Sequence, residues 1–173
     1  MIRTKRIKRV SIAVKDLEAS VQKWSKLFGI KPYQRGEEPE DKYAFVAFQI
    51  GNTRGDGETT LEFLSPWKDP EGEMLIGKFI KKHGEGLYMI TLETEGTWEE
   101  VDSEIQKTGI KSGWGGQLKH WTAGQEGLGH KSWTEHYLSP KDTNGALITL
   151  ASIEYLDPEV VYTGPGRTIR SQS

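Results

Sequence analysis

Residues 9–31 of the chain read RVSIAVKDLEASVQKWSKLFGIK, and residues 89–111 read MITLETEGTWEEVDSEIQKTGIK. The second stretch aligns with the first without a gap at an offset of 80 residues, so that Gly29 and Gly109 coincide. Each copy begins with an alternating apolar run, continues through a turn into a helical pattern, and ends at a glycine. An internal repeat of this kind constrains the fold more than any single motif does. Two copies are too few for a solenoid, so the sequence predicts a duplicated module within one domain.

The pattern in each module is strand, helix, strand, strand, strand. The modules are predicted at about 6–66 and 87–153, joined by a linking helix at about 74–83. Two such modules predict an α+β fold, in which paired βαβββ units form an open eight-stranded barrel or cup with the helices outside. A single domain over residues 1–157 is expected, followed by an extended tail over residues 158–173.

Capping residues support both long helices of the repeat. Asp16 is a good N-cap for the first helix, and Gly29 is placed to end it. Thr97 and Glu100 form the capping-box pattern at the start of the second. The other predicted strands are 31–35, 43–50, 59–64, 110–114, 131–138 and 145–152.

Bulk composition excludes several classes of protein. The 173 residues are 35% hydrophobic and 28% charged, with a net charge of −2, which fits a soluble globular domain without a nucleic-acid footprint. No apolar run approaches the length of a membrane span. Cysteine is absent, which fits a reducing cytoplasm. We therefore expect a cytoplasmic protein whose partners are neither nucleic acid nor membrane.

Alternation divides each core strand into an apolar face and a mixed face. The apolar faces are predicted to pack under the helices, and they are Val10/Ile12/Val14, Leu61/Phe63, Ile90/Leu92 and Ala146/Ile148/Leu150. The mixed faces carry sparse polar groups among apolar ones, as small-molecule sites usually do. They are Arg9/Ser11/Ala13, Thr60/Glu62/Leu64, Met89/Thr91/Glu93 and Leu147/Thr149/Ala151.

The strand at 131–138 offers two faces, and the sequence leaves open which one lines the cup. One face carries Glu135 and Tyr137, which are then candidates for substrate binding. The other carries His136, the best candidate among the four histidines for proton transfer, although a single histidine in a strand is often structural.

The glycine-rich loop around 115–129 is associated with two large aromatic residues, Trp114 and Trp121. A long loop near the mouth of a cup can act as a lid, and the two tryptophans are then substrate-binding candidates. The alternative is a surface insertion that packs both tryptophans against the barrel.

Three stretches resemble the vicinal oxygen chelate superfamily, which includes glyoxalase I, methylmalonyl-CoA epimerase and extradiol dioxygenases. RVSIAVKDLEASVQKWSKLFGI resembles the opening strand–helix of the epimerase branch, KFIKKHGEGLYMITLE its joining segment and SPKDTNGALITL its closing strand pair. The resemblance covers about residues 6–153 and implies the same cup-shaped fold. It also implies a small-molecule ligand and a homodimer.

Members of this superfamily normally hold a divalent metal with four side chains. Carried over by position, these ligands fall on Arg9, Glu62, Met89 and Thr149, and only Glu62 keeps a metal-binding side chain. Arginine has no lone pair to offer at ordinary pH. We therefore expect no bound metal and no other cofactor.

Arg9 and Glu62 have two interpretations. In the first, they form an ion pair that replaces the lost cation. In the second, Arg9 holds an anionic or carbonyl group while Glu62 acts as a general base, with His136 as a further proton-transfer candidate. Substrate contacts are then expected from the mixed faces and the loop: Met89, Thr149, Ser11, Thr91, Glu135, Tyr137, Trp114 and Trp121.

Three functional hypotheses follow. The leading one is a metal-independent isomerase or lyase that moves a proton on a small carbonyl or acyl compound bound in the cup. The second is a binding or sequestration protein of the same fold that lacks catalysis. The third, a metal-dependent epimerase or glyoxalase-like lyase, is disfavoured by the residues at three of the four ligand positions.

Overall fold

The structure is a computed structural model of the chain, and it describes residues 1–50, 59–111, 119–122, 130–155, 160–162 and 168–170. The helices of these residues are α1 (Leu17–Phe28), α2 (Leu75–His83) and α3 (Trp98–Thr108). The strands are β1 (Thr4–Ala13), β2 (Gln34–Glu38), β3 (Tyr43–Ile50), β4 (Thr59–Pro66), β5 (Gly86–Thr94), β6 (Lys119–Thr122), β7 (His130–Tyr137), β8 (Ile148–Tyr155), β9 (Val160–Tyr162) and β10 (Thr168–Arg170). The mixed composition confirms the α+β class.

The described residues fall into two compact units. The amino-terminal unit comprises the described residues of Arg9–Asn52 and Glu58–Tyr88. The carboxy-terminal unit comprises Met1–Lys8 together with the described residues of Met89–Ser173.

In the amino-terminal unit the strands lie in the order β2-β3-β4-β1, with β1 parallel to β4 and the other pairs antiparallel. Helix α1 begins as predicted, because the Asp16 side chain accepts a hydrogen bond from the amide of Ala19. It ends at Gly29, whose φ of 66° is a left-handed conformation that glycine adopts without strain. The apolar faces of β1 and β4 pack under α1, as predicted, in a core of Val14, Val21, Val46, Phe48 and Phe63.

Helix α2 packs against a different core of the same unit. Its residue Ile76 is buried with Ala13 of β1 and Leu64 of β4, and Phe79 and Tyr88 pack around them. Ala13 and Leu64 belong to the mixed faces of their strands, so α2 covers the part of these faces that lies beyond Ser11 and Glu62.

In the carboxy-terminal unit the strands lie in the order β5-β8-β7-β6, with β5 parallel to β8 and the other pairs antiparallel. Thr97 and Glu100 form the predicted capping box at the start of α3. The apolar faces of β5 and β8 pack against α3, again as predicted, in a core of Val101, Ile105, Leu138 and Leu150 with Leu92 and Ile148 beside it.

Several predicted boundaries are displaced. Strand β2 begins at Gln34 rather than at 31, and it continues through the residues 36–38 that the sequence assigned to an acidic turn. Strand β8 begins at Ile148 rather than at 145, because Gly145, with a φ of 85°, belongs to the preceding turn and donates its amide to the carbonyl of Pro140.

Two short pairings were missed. Strand β6 lies inside the predicted loop 115–129 and pairs with β7, with Trp121 opposite Trp133. In the predicted tail, β9 and β10 pair with each other as a two-stranded antiparallel ladder. Four and three residues are too few to produce a readable alternation, which is why both escaped prediction. Of the predicted strand at 110–114, Ile110 and Lys111 are not in a strand, and the remainder lies outside the described residues.

Candidate functional site

The mixed face of the amino-terminal unit carries a fixed carboxylate. Ser11 of β1 lies opposite Glu62 of β4 in the parallel register, and Ala47 of β3 flanks Glu62 on the other side. The Ser11 hydroxyl is fully buried and donates a hydrogen bond of 2.7 Å to Oε2 of Glu62. Arg9 lies two residues before Ser11 on β1, and its Nε is 3.7 Å from the same Oε2 of Glu62. Only 12% of each side chain of this ion pair is exposed, so the two charges are largely removed from solvent.

Tyr43 of β3 is a site residue that the sequence analysis missed. Burial raises the pKa of the Tyr43 hydroxyl well above its ordinary value of 10.0, the negative charge of Glu62 adds to the increase, and the positive charge of Arg9 opposes it. A tyrosine hydroxyl is both a hydrogen-bond donor and an acceptor. The available signal was alternation, since Tyr43, Phe45 and Ala47 share one face of the strand YAFVAFQI.

The mixed face of the carboxy-terminal unit carries a buried chain of hydrogen bonds. Thr149 of β8 donates to Thr91 of β5 at 2.8 Å, and Thr91 donates to Oε1 of Glu135 at 3.4 Å. The indole Nε1 of Trp133 donates to the same oxygen at 2.8 Å. Thr91, Glu135 and Thr149 are fully buried. These contacts identify the Trp133/Glu135 face of β7 as the one that adjoins Thr91 and Thr149.

The structure describes the remaining substrate-binding candidates to different extents. Met89 is buried, with 6% of its surface exposed. Tyr137 lies opposite Thr149 in the register of β7 and β8, and it is half-buried. Trp114 lies outside the described residues, and Trp121 is described only as part of the β6 backbone.

His136 lies on the other face of β7. Its ring stacks on Trp98 of α3 at a centroid distance of 5.0 Å, and its Nε2 lies 3.3 Å from the Trp98 carbonyl oxygen. Burial lowers the pKa of His136 below its ordinary 6.5, although the hydrogen bond to Trp98 and the charge of Asp102 oppose that shift. The predicted catalytic role of His136 stays a prediction, while these contacts join helix α3 to β7.

A second buried carboxylate of this unit was not singled out by the sequence. Glu93 of β5 is fully buried and accepts hydrogen bonds from Arg6 at 2.7 Å, Tyr155 at 2.8 Å and Lys5 at 3.3 Å. Burial alone would raise the pKa of Glu93, but these donors outweigh it and hold the pKa below its ordinary 4.5. Glu93 is thus the anionic centre of a structural ion-pair cluster. The signal in the sequence was the basic run TKRIKR at the start of β1, because basic side chains that become buried need a nearby anion.

The four positions implied for a metal carry side chains of unsuitable chemistry. In the amino-terminal unit a guanidinium stands beside the one carboxylate, and in the carboxy-terminal unit the positions hold a thioether and the hydroxyl that Thr149 donates to Thr91. Hard divalent ions prefer carboxylate and carbonyl oxygens, and ions such as zinc, iron and nickel also take imidazole donors. Among the described residues, no group of three or more His, Asp or Glu side chains is placed to hold a metal. The residues present do not fit the family's metal.

Comparison with known proteins defines the class. The fold is that of the vicinal oxygen chelate proteins: a solved Streptomyces coelicolor methylmalonyl-CoA epimerase variant, in complex with 2-nitronate-propionyl-CoA, is similar with a TM-score of 0.69 at 23% identity, covering 87% of this chain and 95% of that one. The methylmalonyl-CoA epimerase of Mycobacterium tuberculosis is similar with a TM-score of 0.66 at 15% identity, covering 89% and 90% of the two chains.

The sequence comparisons give the family. Residues 8–130 match the family model described as the Glyoxalase/Bleomycin resistance protein/Dioxygenase superfamily, and the chain belongs to that superfamily. An ethylmalonyl-CoA/methylmalonyl-CoA epimerase of Cereibacter sphaeroides is 26% identical over 148 residues, which are 86% of this chain and 98% of the relative. These findings confirm the predicted superfamily and its resemblance to the epimerases.

None of the helices in the described part of the chain is long and apolar enough to cross a bilayer.

Proposed function

We propose that the chain is an isomerase of the epimerase type, which moves the proton on the carbon next to the carbonyl of a small acyl compound. The observation that carries the proposal is the carboxylate of Glu62, held by Ser11 at 2.7 Å and accompanied by Arg9 at 3.7 Å on a largely buried face. A positioned carboxylate beside a fixed cation is what proton abstraction from such a carbon needs.

The chemistry assigns one task to each group. Glu62 accepts the proton from the α-carbon, and negative charge develops on the carbonyl oxygen as the enolate forms. Arg9 stabilises that charge, because a guanidinium is a permanent cation with several N–H donors. Ser11 fixes the orientation of the Glu62 carboxylate.

The substrate class is taken from the relatives. The curated relative is named an epimerase of ethylmalonyl-CoA and methylmalonyl-CoA, and one of the similar structures is described as a complex with methylmalonyl-CoA. We propose that this chain acts on an acyl-CoA of the same kind. Met89, Thr91, Thr149 and Tyr137 remain the proposed substrate contacts of the carboxy-terminal unit.

We further propose that the reaction needs no divalent metal, since three of the four positions that would bind one hold side chains of the wrong chemistry. The enzyme is proposed to work as a homodimer in the cytoplasm. The chain has no cysteine and therefore forms no disulfides, which fits a reducing compartment.

The proposal is tested with each epimer of methylmalonyl-CoA in deuterated buffer, after the protein has been dialysed against a chelator. We expect the protein to exchange the α-proton for deuterium and to interconvert the epimers well above the rate without protein. Elemental analysis of the same sample is expected to find far less than one divalent ion per chain. Activity that disappears on chelation and returns with added metal would contradict the metal-independent mechanism.

A binding protein is the second candidate, and it is favoured by one observation. Arg9 and Glu62 are each 12% exposed and each is the other's counter-ion, as a purely structural pair would be. Calorimetric binding of the acyl-CoA without any deuterium exchange would support this function and would overturn the isomerase.

A further inference from the structure

The outer edge of strand β2 is a surface to which the proposed function gives no role. The strand reads QRGEE over Gln34–Glu38, and it pairs with β3 along one edge. Among the described residues, no strand pairs with its other edge. The backbone amide and carbonyl groups along such an edge form a template to which a further strand can add.

The charged side chains of this edge lie close together. Arg35 lies opposite the buried Val46, so Arg35 and Glu37 are on the face of the sheet that packs under α1. Arg35 contacts Glu18 of α1 at 3.1 Å, but 57% and 62% of the two side chains stay exposed. A guanidinium has five N–H donors and can therefore bind a second carboxylate. The exposed carboxylate of Glu37 forms no ion pair or hydrogen bond with another described residue.

This edge is complementary to a second copy of itself. A copy related by a two-fold axis perpendicular to the sheet adds an antiparallel strand, in which directly opposite side chains share a face. Three registers of this kind pair at least three residues of each strand. A ladder centred on residue 35 opposes two arginines, and one centred on residue 37 opposes two glutamates. The ladder centred on Gly36 pairs all five residues and places each Arg35 opposite the second copy's Glu37.

Gly36 suits the centre of such a ladder. Phe45 of β3 lies opposite Gly36, and a Cβ at Gly36 would come within 2.8 Å of the Phe45 ring. The ring therefore covers the glycine on the mixed face, as aromatic residues do for glycines of edge strands. Charged residues on an edge strand oppose association when like charges meet. In this register they are unlike, so the same charges select one orientation of one partner.

We propose that two copies of the chain associate through β2, antiparallel about Gly36, with one ion pair between Arg35 and Glu37 on each side of the two-fold axis. This inference rests on the homodimer of the proposed function and names its interface. The sheet of the amino-terminal unit then continues from one copy into the other.

Charge reversal in the full chain tests the register. Arg35→Glu opposes two glutamates on each side of the axis, and Glu37→Arg opposes two arginines. Each variant alone should show a dimer dissociation constant about tenfold or more above that of wild type, because like charges directly opposite each other destabilise a strand pair. Light scattering over a dilution series measures the constant.

An equimolar mixture of the two variants is the decisive sample. In a mixed dimer, one β2 carries glutamate at positions 35 and 37 and the other carries arginine at both, so the two facing pairs are attractive again. The mixture should give twice the mass of one chain at concentrations where each variant alone is a monomer. A mixture that stays monomeric there would overturn the inference.

The matched controls are Lys78→Glu and Glu71→Arg, the same reversals at exposed positions outside β2. Alone and mixed, they should have dissociation constants within about twofold of wild type, since surface changes away from an interface have small effects. Thermal melting establishes that each variant is folded.

Hydrogen exchange of the wild-type protein tests the interface without any substitution, and it decides if a reversed variant does not fold. The amides of β2 should exchange more slowly as the concentration rises through the range of dimer formation, because amides that pair across an interface are protected. Exchange of these amides that is the same in monomer and dimer would overturn the inference.

The outcomes separate this inference from the proposed function. A wild-type protein that is monomeric throughout the dilution series overturns the inference together with the proposed homodimer. A wild-type dimer whose reversed variants associate equally well overturns the inference alone. A wild-type protein that dimerises as described, but exchanges no α-proton of the acyl-CoA for deuterium, overturns the isomerase and supports the β2 interface.

Discussion

At the scale of single residues, Ser11 and Arg9 approach the same oxygen of Glu62, at 2.7 and 3.7 Å. A hydrogen bond from a neutral hydroxyl to a charged group contributes about 1.5–3 kcal/mol. The hydroxyl of Ser11 also limits how the carboxylate can rotate. Its contribution is therefore expected in the chemical step more than in the fold.

The first prediction concerns Ser11→Ala. Removing the hydroxyl should lower turnover about tenfold, because the Glu62 carboxylate loses the contact that orients it. The melting temperature should fall by only a few degrees. Steady-state kinetics and thermal melting measure the two effects. Ser103→Ala on the exposed face of α3 is the control, and unchanged turnover in Ser11→Ala would contradict the role of the hydroxyl.

The alternation of apolar and polar residues predicts the face on which a side chain lies, but not its partner on the neighbouring strand. It placed Arg9, Ser11 and Glu62 on mixed faces, because side-chain direction has a period of two. It could not show that Ser11 and Glu62 stand opposite each other, since the register of a parallel pair depends on tertiary packing. Tyr43 was missed because its strand is almost entirely apolar in composition.

The second prediction concerns Glu93 and pH. Its pKa is lower in the folded protein than the ordinary 4.5, so its contribution to stability is present above that value. The contribution is lost as the pH falls through 4.5 and then through the folded pKa. Glu93→Gln should therefore be much less stable than wild type at pH 7, and the difference should narrow progressively below about pH 5.

Thermal melting at a series of pH values measures this effect. Glu71→Gln, at an exposed position, should follow the wild-type curve. If Glu93→Gln does not fold at all, Tyr155→Phe removes one donor to Glu93 and should show the same narrowing to a smaller extent. A constant difference between Glu93→Gln and wild type from pH 7 to pH 3.5 would contradict the ion-pair cluster.

At the scale of elements, strand β7 separates two kinds of contact. Glu135 on one face accepts a hydrogen bond from Thr91. His136 on the other face stacks on Trp98 and joins the strand to α3. The sequence could not distinguish these faces, because Trp133, Glu135 and Tyr137 are as mixed in character as Thr134, His136 and Leu138. The hydrogen bond from Thr91 to Glu135 and the packing of Leu138 under α3 decide between them.

The third prediction follows from this placement. His136→Phe keeps the aromatic stack and removes the titratable ring, so turnover should stay within about threefold of wild type. Because the pKa of His136 is lowered in the fold, the wild-type protein should lose stability as the pH falls below 6.5. The variant should lose less over the same range. Turnover reduced about 100-fold at unchanged KM would instead support a catalytic role for His136.

Helix boundaries were more predictable than strand boundaries. Asp16, Gly29, Thr97 and Glu100 are local signals, and each has the predicted role in the structure. Strands β2 and β8 begin three residues after their predicted starts, at Gln34 and Ile148. The first residue of a strand is the first one that pairs with the neighbouring strand. The boundary therefore depends on the sheet and not on the local sequence.

At the scale of the whole molecule, the two copies of the repeat carry a hydroxyl at equivalent positions. Ser11 pairs with Glu62 in one unit and Thr91 with Thr149 in the other, and Thr91 is the repeat equivalent of Ser11 at the offset of 80. Both units keep a hydroxyl at this position of the sheet, although only one keeps the carboxylate opposite it.

The fourth prediction concerns assembly. The chain carries six tryptophans, and the resemblance implies a homodimer. Light scattering at micromolar concentration should give twice the mass of one chain, with no change when a chelator is added. A monomer mass under these conditions would contradict the prediction.

The central claim is that Glu62 transfers the proton, and the measurement that tests it most directly is the single-turnover rate of Glu62→Gln on methylmalonyl-CoA, recorded together with its melting curve. If Glu62 transfers the proton, the variant should be folded and have wild-type ligand affinity, and its epimerisation rate should be about 100- to 10,000-fold lower. An intact fold with unchanged turnover would remove Glu62 from the mechanism. A markedly less stable variant that epimerises normally while folded would identify Glu62 as only the counter-ion of Arg9.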